Sequence, residues 1–227
     1  MKTTPYLRLF RPLACLLTAA GLVGGCALPD PDDLVLGAEF KPANYHVETR
    51  RLNPQLRRVL VLPLTSEAAG SPAADALESL ETIVRAELKR TQRFEFVALT
   101  RSELVTLSGR SDWAADSVLP ADFLKRLQEH HQCDGVLFCR LTRYEAYPPL
   151  AVGWQFKLVG CPMPQVLWAF DEVFDAREAG VVIGARRFQQ ADRSPGRRTG
   201  DSRVILSSPR RFAAYAAHGA FLTLPDQ

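Results

Sequence analysis

Four acidic side chains close together in the sequence, Asp171, Glu172, Asp175 and Glu178, are of a type that could carry chemistry. Two carboxylates held near each other can act as the general acid and general base of a hydrolytic reaction. A run of acidic residues is more often the solvated edge of a strand or helix. We therefore keep a hydrolase that uses this acidic patch as an alternative interpretation and favour a protein that is not an enzyme.

Patterns typical of metal sites and of common catalytic folds are also weak. His130, His131 and Cys133 lie close together, but adjacent histidines on a helix point in different directions and no second cluster matches them. The sequence has no G-x-S-x-G motif, no P-loop and no G-x-G-x-x-G motif. We predict no catalytic residues, no metal, no cofactor and no identifiable small-molecule substrate.

Basic residues gather near the carboxyl-terminal third of the chain, in and before a polar stretch at residues 192–203. The residues of this group are Arg186, Arg187, Arg193, Arg197 and Arg198, followed by Arg203. They could contact anionic lipid headgroups, lipopolysaccharide or an acidic protein partner. The alternative is that residues 192–203 form a mobile, solvated loop with no specific contact.

The charge balance argues against nucleic acid as a partner. The 227 residues carry a net charge of +3, and Lys2, Arg8 and Arg11 account for all of it. The chain from residue 26 onward is therefore neutral, whereas nucleic-acid binding needs a clustered positive field. The hydrophobic content of 47% is typical of a folded globular protein.

Residues 1–25 have the features of a secretory signal peptide. Basic residues come first, residues 13–23 are largely apolar and uncharged, and Gly24 and Gly25 follow. An apolar run of this length is too short to span a bilayer, which takes about 20 residues. We predict that this segment directs export and is then removed.

The four residues Val23-Gly24-Gly25-Cys26 resemble the bacterial lipobox. The resemblance implies cleavage between Gly25 and Cys26, a diacylglycerol thioether on Cys26 and an acyl chain such as palmitate on the new amine. Several acyl chains hold a protein far better than one, since each buried CH₂ adds about 0.8 kcal/mol. Residue 27 is Ala rather than Asp, which implies a lipid anchor in the periplasm-facing leaflet of the outer membrane, with the inner membrane as the alternative.

Four prolines and several aspartates break any periodic pattern in residues 26–56, so we predict a flexible tether there. The alternative is that residues 45–49 pack on the folded body as an edge strand. After removal of the signal peptide, Cys133, Cys139 and Cys161 are the cysteines that carry no lipid. If Tyr144 lies opposite Phe156 in a hairpin, Cys139 also lies opposite Cys161, and a disulfide between them is possible, with free thiols as the alternative.

Residues 57–225 predict one domain that mixes strands and helices. The apolar run at 59–64 indicates a buried central strand, and residues 94–97 indicate a second strand. Helices are predicted to begin at capping or first-turn residues, which are Ser71-Pro72, Thr100, Pro120 and Ser208-Pro209. Residues 174–190 could form a further helix, although Gly180 and Gly184 weaken that pattern.

Three consecutive strands are predicted at residues 136–144, 152–158 and 166–170, where apolar and polar residues alternate. Their large aromatic residues, Trp154, Phe156, Trp168 and Phe170, have the spacing of a buried sheet face. The prediction is a single layered α+β domain with a mixed, mostly antiparallel sheet. The element order is β-α-β-α-α-β-β-β-α, with the helices on one face of the sheet.

This order of elements resembles a group of bacterial envelope lipoproteins. The segments that carry the likeness are VLVLP, FEFV, CDGVLFCRL and QVLWAFDEVFDA. The group is related to the curli secretion channel subunit and to the TolB amino-terminal domain. It includes the penicillin-binding-protein activators and the exopolysaccharide-secretion lipoproteins. The resemblance implies an accessory role in the envelope, through binding of a partner rather than through catalysis.

Our hypothesis is a membrane-anchored periplasmic lipoprotein that acts as a non-catalytic assembly or accessory factor of cell-envelope machinery, in secretion, polysaccharide export or wall synthesis. Its partners would be the membrane, through the lipid anchor, and an envelope protein or further copies of itself. The alternatives are a periplasmic hydrolase that uses the acidic patch and an auxiliary lipoprotein of a transporter.

Overall fold

Seven strands, five α-helices and one short 3-10 helix make up the part of the chain that the computed structural model describes, residues 37–67, 74–114, 116–191 and 204–227. The strands are β1 (Tyr45–Val47), β2 (Arg58–Val61), β3 (Thr65–Ser66), β4 (Glu95–Ala98), β5 (Gly135–Glu145), β6 (Ala151–Gly160) and β7 (Val166–Asp175). The helices are α1 (Ala74–Thr91), α2 (Arg101–Ser108), α3 (Phe123–His131), α4 (Ala179–Ala191) and α5 (Pro209–Phe221), with the 3-10 turn at Val204–Ser207. Within these residues, no helix is long and apolar enough to cross a bilayer.

The strands form one mixed sheet in the order β1-β7-β6-β5-β2-β4, with β3 paired to β5. The long neighbours β5, β6 and β7 are antiparallel, and β1 runs antiparallel to β7. The short strands β2, β3 and β4 make parallel pairs, and β2, α1 and β4 form the predicted strand–helix–strand unit. The α+β class and the mixed, mostly antiparallel sheet are confirmed.

The larger core lies on the face of the sheet that α1, α4 and α5 cover. The four aromatic residues predicted to be buried are at most 1% exposed, and Phe156 stacks on Phe221 of α5 at 4.9 Å between ring centroids. Trp168 also donates its indole N–H to Thr223 at 3.0 Å, so its polar atom has a partner. Alternation along β6 and β7 thus places the aromatic residues on one face, as the pattern predicted.

A second core lies on the opposite face, and the prediction of helices on one face only is wrong. Leu60 and Leu62 in and after β2, and Phe138 in β5, point away from α1 and pack with Leu104 of α2 and Leu127 of α3. Successive side chains of a strand point to opposite faces. The consecutive apolar residues Val59, Leu60 and Val61 of β2 therefore need cover on both faces, and α2 and α3 supply it on the second face.

The folded domain begins before residue 57, so the proposed tether boundary at residue 56 is wrong. Strand β1 pairs with β7, which matches the alternative that residues 45–49 form an edge strand. Leu52 and Leu56 are each 3% exposed, and the Leu52 N–H donates to the carbonyl of Asp226 at 2.6 Å. Both leucines belong to the larger core, and hydrogen bonds from the Leu52 N–H to Asp226 and from the Gln227 amide to the Leu56 carbonyl hold this part of the chain in place.

Local capping signals account for the starts of two helices. The Thr100 side chain accepts from the Glu103 N–H, and the Glu103 carboxylate accepts from the Thr100 N–H, which is the predicted capping box of α2. Pro209 occupies the first turn of α5, as predicted. Helix α4 forms even though it contains Gly180 and Gly184. Both glycines lie where other groups of the protein approach the helix closely.

Candidate functional site

The leading segment, residues 37–47, is held against α4 and β7. The Phe40 N–H donates to the Gly180 carbonyl at 2.9 Å, and the Phe40 ring lies edge-on to Phe174 at 5.2 Å. The Arg187 side chain donates to the Gly37 carbonyl at 2.8 Å. Gly37 has φ +114°, a conformation that suits glycine and strains other residues. The chain therefore meets the domain at a defined place from residue 37 onward.

Glu172 fixes the next part of the leading segment. One oxygen of its carboxylate accepts the N–H groups of Ala43 and Asn44, at 3.2 and 3.1 Å. The Asn44 carbonyl then accepts the Asp171 N–H at 3.0 Å, and β1 continues the pairing with β7. Glu172 therefore has a structural task, since it satisfies two backbone donors that would otherwise lack protein partners.

An apolar groove of about 520 Å³ is lined by the leading segment on one side and by the helices α4 and α5 on the other. One wall is formed by Phe40, Pro42 and Tyr45, and the other includes Phe188 and Leu222. Leu222 is 70% exposed and Tyr45 is 47% exposed, so apolar surface reaches the solvent at the rim. A groove of this size and lining suits an apolar group or side chain rather than a compact polar substrate.

Polar groups at the groove do not form a catalytic set. His218 lies 3.5 Å from the buried carboxylate of Glu87 and packs against the Phe188 ring at 5.1 Å. Burial raises the pKa of the Tyr215 hydroxyl, and the negative charge of Glu39 raises it further, so the phenol stays protonated. No activated nucleophile lies among the described residues that line the groove.

The structure describes only part of the predicted basic group. Arg187 lies on α4 and contacts the leading segment, with its guanidinium 3.6 Å from the Glu39 carboxylate as well as bonded to Gly37. Arg186 is its half-buried neighbour on the same helix. Arg193, Arg197 and Arg198, and the whole predicted loop 192–203, lie outside the described residues. Contact of this group with an anionic partner stays a prediction.

The acidic patch does not converge on a single point. Asp171 and Asp175 occupy alternate positions of β7 and share one face of the sheet, whereas Glu172 points to the other face and Glu178 lies in the following turn. Asp171 accepts the Gln155 amide at 2.9 Å, and Asp175 accepts the Arg177 guanidinium at 2.9 Å. Each of the two sheet-face carboxylates is thus already engaged by a neighbour.

The pKa values of Asp175 and Glu145 argue against a role for either carboxylate as a general acid. Partial burial would raise the pKa of Asp175, but hydrogen bonds from the backbone and side chain of Arg177 outweigh it and hold that pKa below its ordinary value. Hydrogen bonds from Arg143 and Arg177 likewise lower the pKa of Glu145. A general acid at neutral pH needs a raised pKa. These carboxylates remain ionised and serve as partners of arginine.

His130 and His131 end helix α3, and Cys133 follows in the buried turn before β5. His130 is exposed, whereas Cys133 is 1% exposed. Over the four described stretches of the chain, no group of three or more His, Cys, Asp or Glu side chains could hold a metal ion.

The predicted register of the β5–β6 hairpin, and with it the Cys139–Cys161 pairing, is wrong. Tyr144 lies opposite Val152 rather than Phe156, and Cys139 lies opposite Phe156. Cys139 packs in the core under α1 and α5, whereas Cys161 packs against the core under α2 and α3. The turn between the strands is shorter than the assumed register requires. A register shift between Leu141 and Arg143 then places Cys139 on the opposite face of the sheet from Cys161.

The leading segment and the groove were not foreseen as a site. The only sequence signal was the suggestion that residues 45–49 could form an edge strand. Gly180 and Gly184 weaken the helix pattern in the sequence. In the structure, a Cβ at Gly180 would lie 3.2 Å from the Phe40 nitrogen, and a Cβ at Gly184 would collide with the Tyr215 hydroxyl. Both glycines mark close approaches that build the groove.

No family model and no curated protein matches the chain. Solved structures similar to it include the PelC dodecamer from Paraburkholderia phytofirmans, at 14% identity and TM-score 0.38, covering 78% of this chain and 94% of that one. Lipoprotein GNA1162 from Neisseria meningitidis is 17% identical at TM-score 0.38, covering 60% and 96%. The LpoB C-terminal domain from Salmonella enterica is 16% identical at TM-score 0.37, covering 51% and 80%.

Proposed function

We propose that the chain is a lipoprotein acylated at Cys26 that holds a binding domain at the periplasm-facing surface of the outer membrane. It acts there as a non-catalytic accessory or assembly factor of envelope machinery, in secretion, polysaccharide export or wall synthesis. The observation that carries the proposal is the short separation between Cys26 and Gly37, which is bonded to the domain through Arg187. Only residues 27–36 lie between them.

The short separation limits how far the domain can stand from its anchor. A fully extended chain spans at most about 3.6 Å per residue, so the distance from Cys26 to Gly37 is at most roughly 40 Å. The leading segment is itself one wall of the apolar groove, and Arg187 lies beside it. With Cys26 anchored, the leading segment therefore lies within roughly 40 Å of the lipid surface, a distance at which it can meet a partner that also lies at the membrane.

The chemistry of the domain supports binding rather than hydrolysis. Asp171, Glu172 and Asp175 are bonded to glutamine, backbone N–H groups and arginine respectively, and the pKa of Asp175 is lowered rather than raised. What the domain offers instead is a rigid sheet with an apolar groove at one edge. Such a surface needs no catalytic group to recognise a protein partner or a second copy of the chain.

Metabolic labelling with a fatty acid tests the anchor. We expect the full-length protein to incorporate the label and to fractionate with membranes, and Cys26→Ala to lose both properties. Cys15→Ala is the matched control, because Cys15 lies in the segment that is removed and its loss should change neither. Label that persists in Cys26→Ala, or an unlabelled protein that still carries residues 1–25, would contradict the proposal.

Crosslinking in living cells tests the accessory role. We expect the wild-type protein to give adducts with envelope proteins or with copies of itself, and Cys26→Ala to lose them because it no longer concentrates at the membrane. Adducts that are the same in both proteins would show that anchoring does not serve partner binding. Light scattering of the chain without residues 1–26 separates the two kinds of partner, since a monomer counts against self-assembly of the domain.

A further inference from the structure

Cys133 and Cys161 are brought together where β5 begins and β6 ends. Gly135 pairs with Gly160, and one residue beyond this pair the Cys161 N–H donates to the Asp134 carbonyl at 2.9 Å. Cys133 precedes Asp134 directly and follows the end of α3. The two cysteines are 28 positions apart in sequence but neighbours across the antiparallel pair.

Their side chains lie on the same side of the sheet. Cys133 is a member of the core under α2 and α3, and Cys161 packs against that core. The two thiols are hydrogen-bonded to each other. Cys161 is half-buried and can be reached from solvent, whereas Cys133 is 1% exposed. Cys139 is excluded from the pair because it is 2% exposed in the core on the opposite face.

The hydrogen bond makes the two sulfurs chemically unequal. The Cys161 thiol donates to the Cys133 sulfur, which holds the pKa of Cys133 below its ordinary value despite burial. The same bond, together with burial, raises the pKa of Cys161. A negative charge in this pair therefore resides on Cys133, and a thiolate is the form that attacks a disulfide.

We propose that Cys133 and Cys161 form an intramolecular disulfide by exchange with a disulfide oxidant, either an oxidised protein dithiol or glutathione disulfide. The bond would join the end of α3 to the turn that links β6 and β7. Disulfides persist in oxidising compartments such as the periplasm. Formation of the bond in the cell therefore depends on the export that the proposed function includes, whereas the pairing itself depends only on the fold.

The exchange proceeds in two balanced steps. The reachable Cys161 passes its proton along the hydrogen bond to the Cys133 thiolate, attacks one sulfur of the oxidant as a thiolate, forms a mixed disulfide and releases the other oxidant sulfur as a thiolate. Cys133 then gives that proton to the released thiolate, attacks the Cys161 sulfur and displaces the second oxidant sulfur. Two electrons pass from the two cysteines to the oxidant disulfide, and the two protons that the cysteines lose are taken up by the oxidant thiolates.

The test uses the full chain, purified in detergent under a reductant and then exposed to glutathione disulfide. Free thiols are blocked in denaturant with N-ethylmaleimide, and the protein is cleaved with trypsin and Asp-N. Cleavage before Asp134 is needed because Cys133 and Cys139 otherwise share the tryptic peptide that ends at Arg140. Mass spectrometry then identifies which cysteines are linked.

We expect a peptide that links Cys133 to Cys161, two fewer blocked thiols than in the reduced protein, and Cys139 fully blocked. Cys161→Ser should lose the linked peptide completely, and Cys139→Ser, the matched control, should retain it. Since Cys161 is half-buried, its serine variant is expected to fold, and hydrogen exchange of α1 verifies this. A link that includes Cys139, or no link at excess oxidant, would overturn the pairing.

The reaction in vitro involves no export, so it distinguishes this inference from the proposed function. Failure of the link to form in the purified protein refutes the Cys133–Cys161 pair and leaves the lipid anchor untouched. Failure of fatty-acid labelling at Cys26 refutes the anchor and leaves the pair untouched.

Discussion

Replacing Phe40 by Ala should release the leading segment from the domain without unfolding the rest. Phe40 is half-buried, and its ring packs edge-on against Phe174 at 5.2 Å. Full burial of a Phe side chain contributes roughly 1.5–3 kcal/mol, so half-burial contributes about 1 kcal/mol. An edge-to-face aromatic pair adds about 1 kcal/mol. The variant should therefore favour the undocked segment by about 2 kcal/mol, which is roughly a 30-fold shift in the equilibrium.

Hydrogen exchange measures this shift directly. The N–H groups of Ala43 and Asn44 bond to Glu172, and the Glu48 N–H bonds to the Leu167 carbonyl at 3.1 Å. These amides exchange when the leading segment opens. We expect peptides that cover residues 38–48 to exchange about 30-fold faster in Phe40→Ala, with α1 and β5 unchanged, because local opening leaves the cores intact.

Lys41→Ala is the matched control, because Lys41 neighbours Phe40 but is exposed and should leave the exchange close to that of the wild type. If Phe40→Ala exchanges no faster than Lys41→Ala, the ring does not hold the segment. If the amides of α1 accelerate as much as those of residues 38–48, the segment unfolds together with the domain and the reasoning about local docking is refuted.

Two further substitutions probe contacts within the domain. Asp134→Ala should lower the free energy of unfolding by about 1–2 kcal/mol, as measured by chemical denaturation. The reason is that one oxygen of the Asp134 carboxylate accepts the N–H groups of Arg57 and Arg58, both at 2.9 Å. Asp134→Asn keeps an acceptor and should lower the free energy of unfolding clearly less. The pKa values of Asp175 and Glu145 are lowered in the folded protein, so ionisation of these two carboxylates stabilises the fold. This stabilisation is fully present above pH 4.5 and is lost as the pH falls through the lowered pKa values. Arg177→Ala should shrink this loss between pH 5 and pH 3 in thermal melts, and an unchanged loss would show that Arg177 does not cause it.

The centre of the sheet could be predicted because its signals are local. Continuous apolar residues mark β2, alternating aromatic residues mark β6 and β7, and a capping box marks the start of α2. Each of these signals lies within the element that it specifies. The α+β class follows from their order, since a strand–helix–strand unit and a run of antiparallel strands leave few arrangements.

The leading segment and the register of the hairpin could not be predicted, because they depend on distant partners. Strand β1 has three residues and pairs with β7, more than 120 positions later in the chain. The residues of neither strand indicate which strand it pairs with. The pairing of β5 with β6 depends on the length of the turn between them and on a register shift between Leu141 and Arg143, and neither is marked by the apolar pattern of the strands. Cys133 and Cys161 become neighbours only once that register is fixed.

Docking of the leading segment and binding in the groove are linked, because one wall of the groove is the leading segment itself. That wall is held to α4 and β7 by Phe40 and Glu172 and not by a covalent bond. Anything that contacts both walls binds only the docked form, and it must therefore stabilise docking by mass action. An occupant of the groove should slow exchange of residues 38–48 in the wild-type protein. In Phe40→Ala the same occupant would bind more weakly, because its apparent Kd is the intrinsic Kd divided by the fraction of molecules in which the segment is docked. A groove that bound its occupant equally well in both proteins would show that the leading segment is not part of the binding surface.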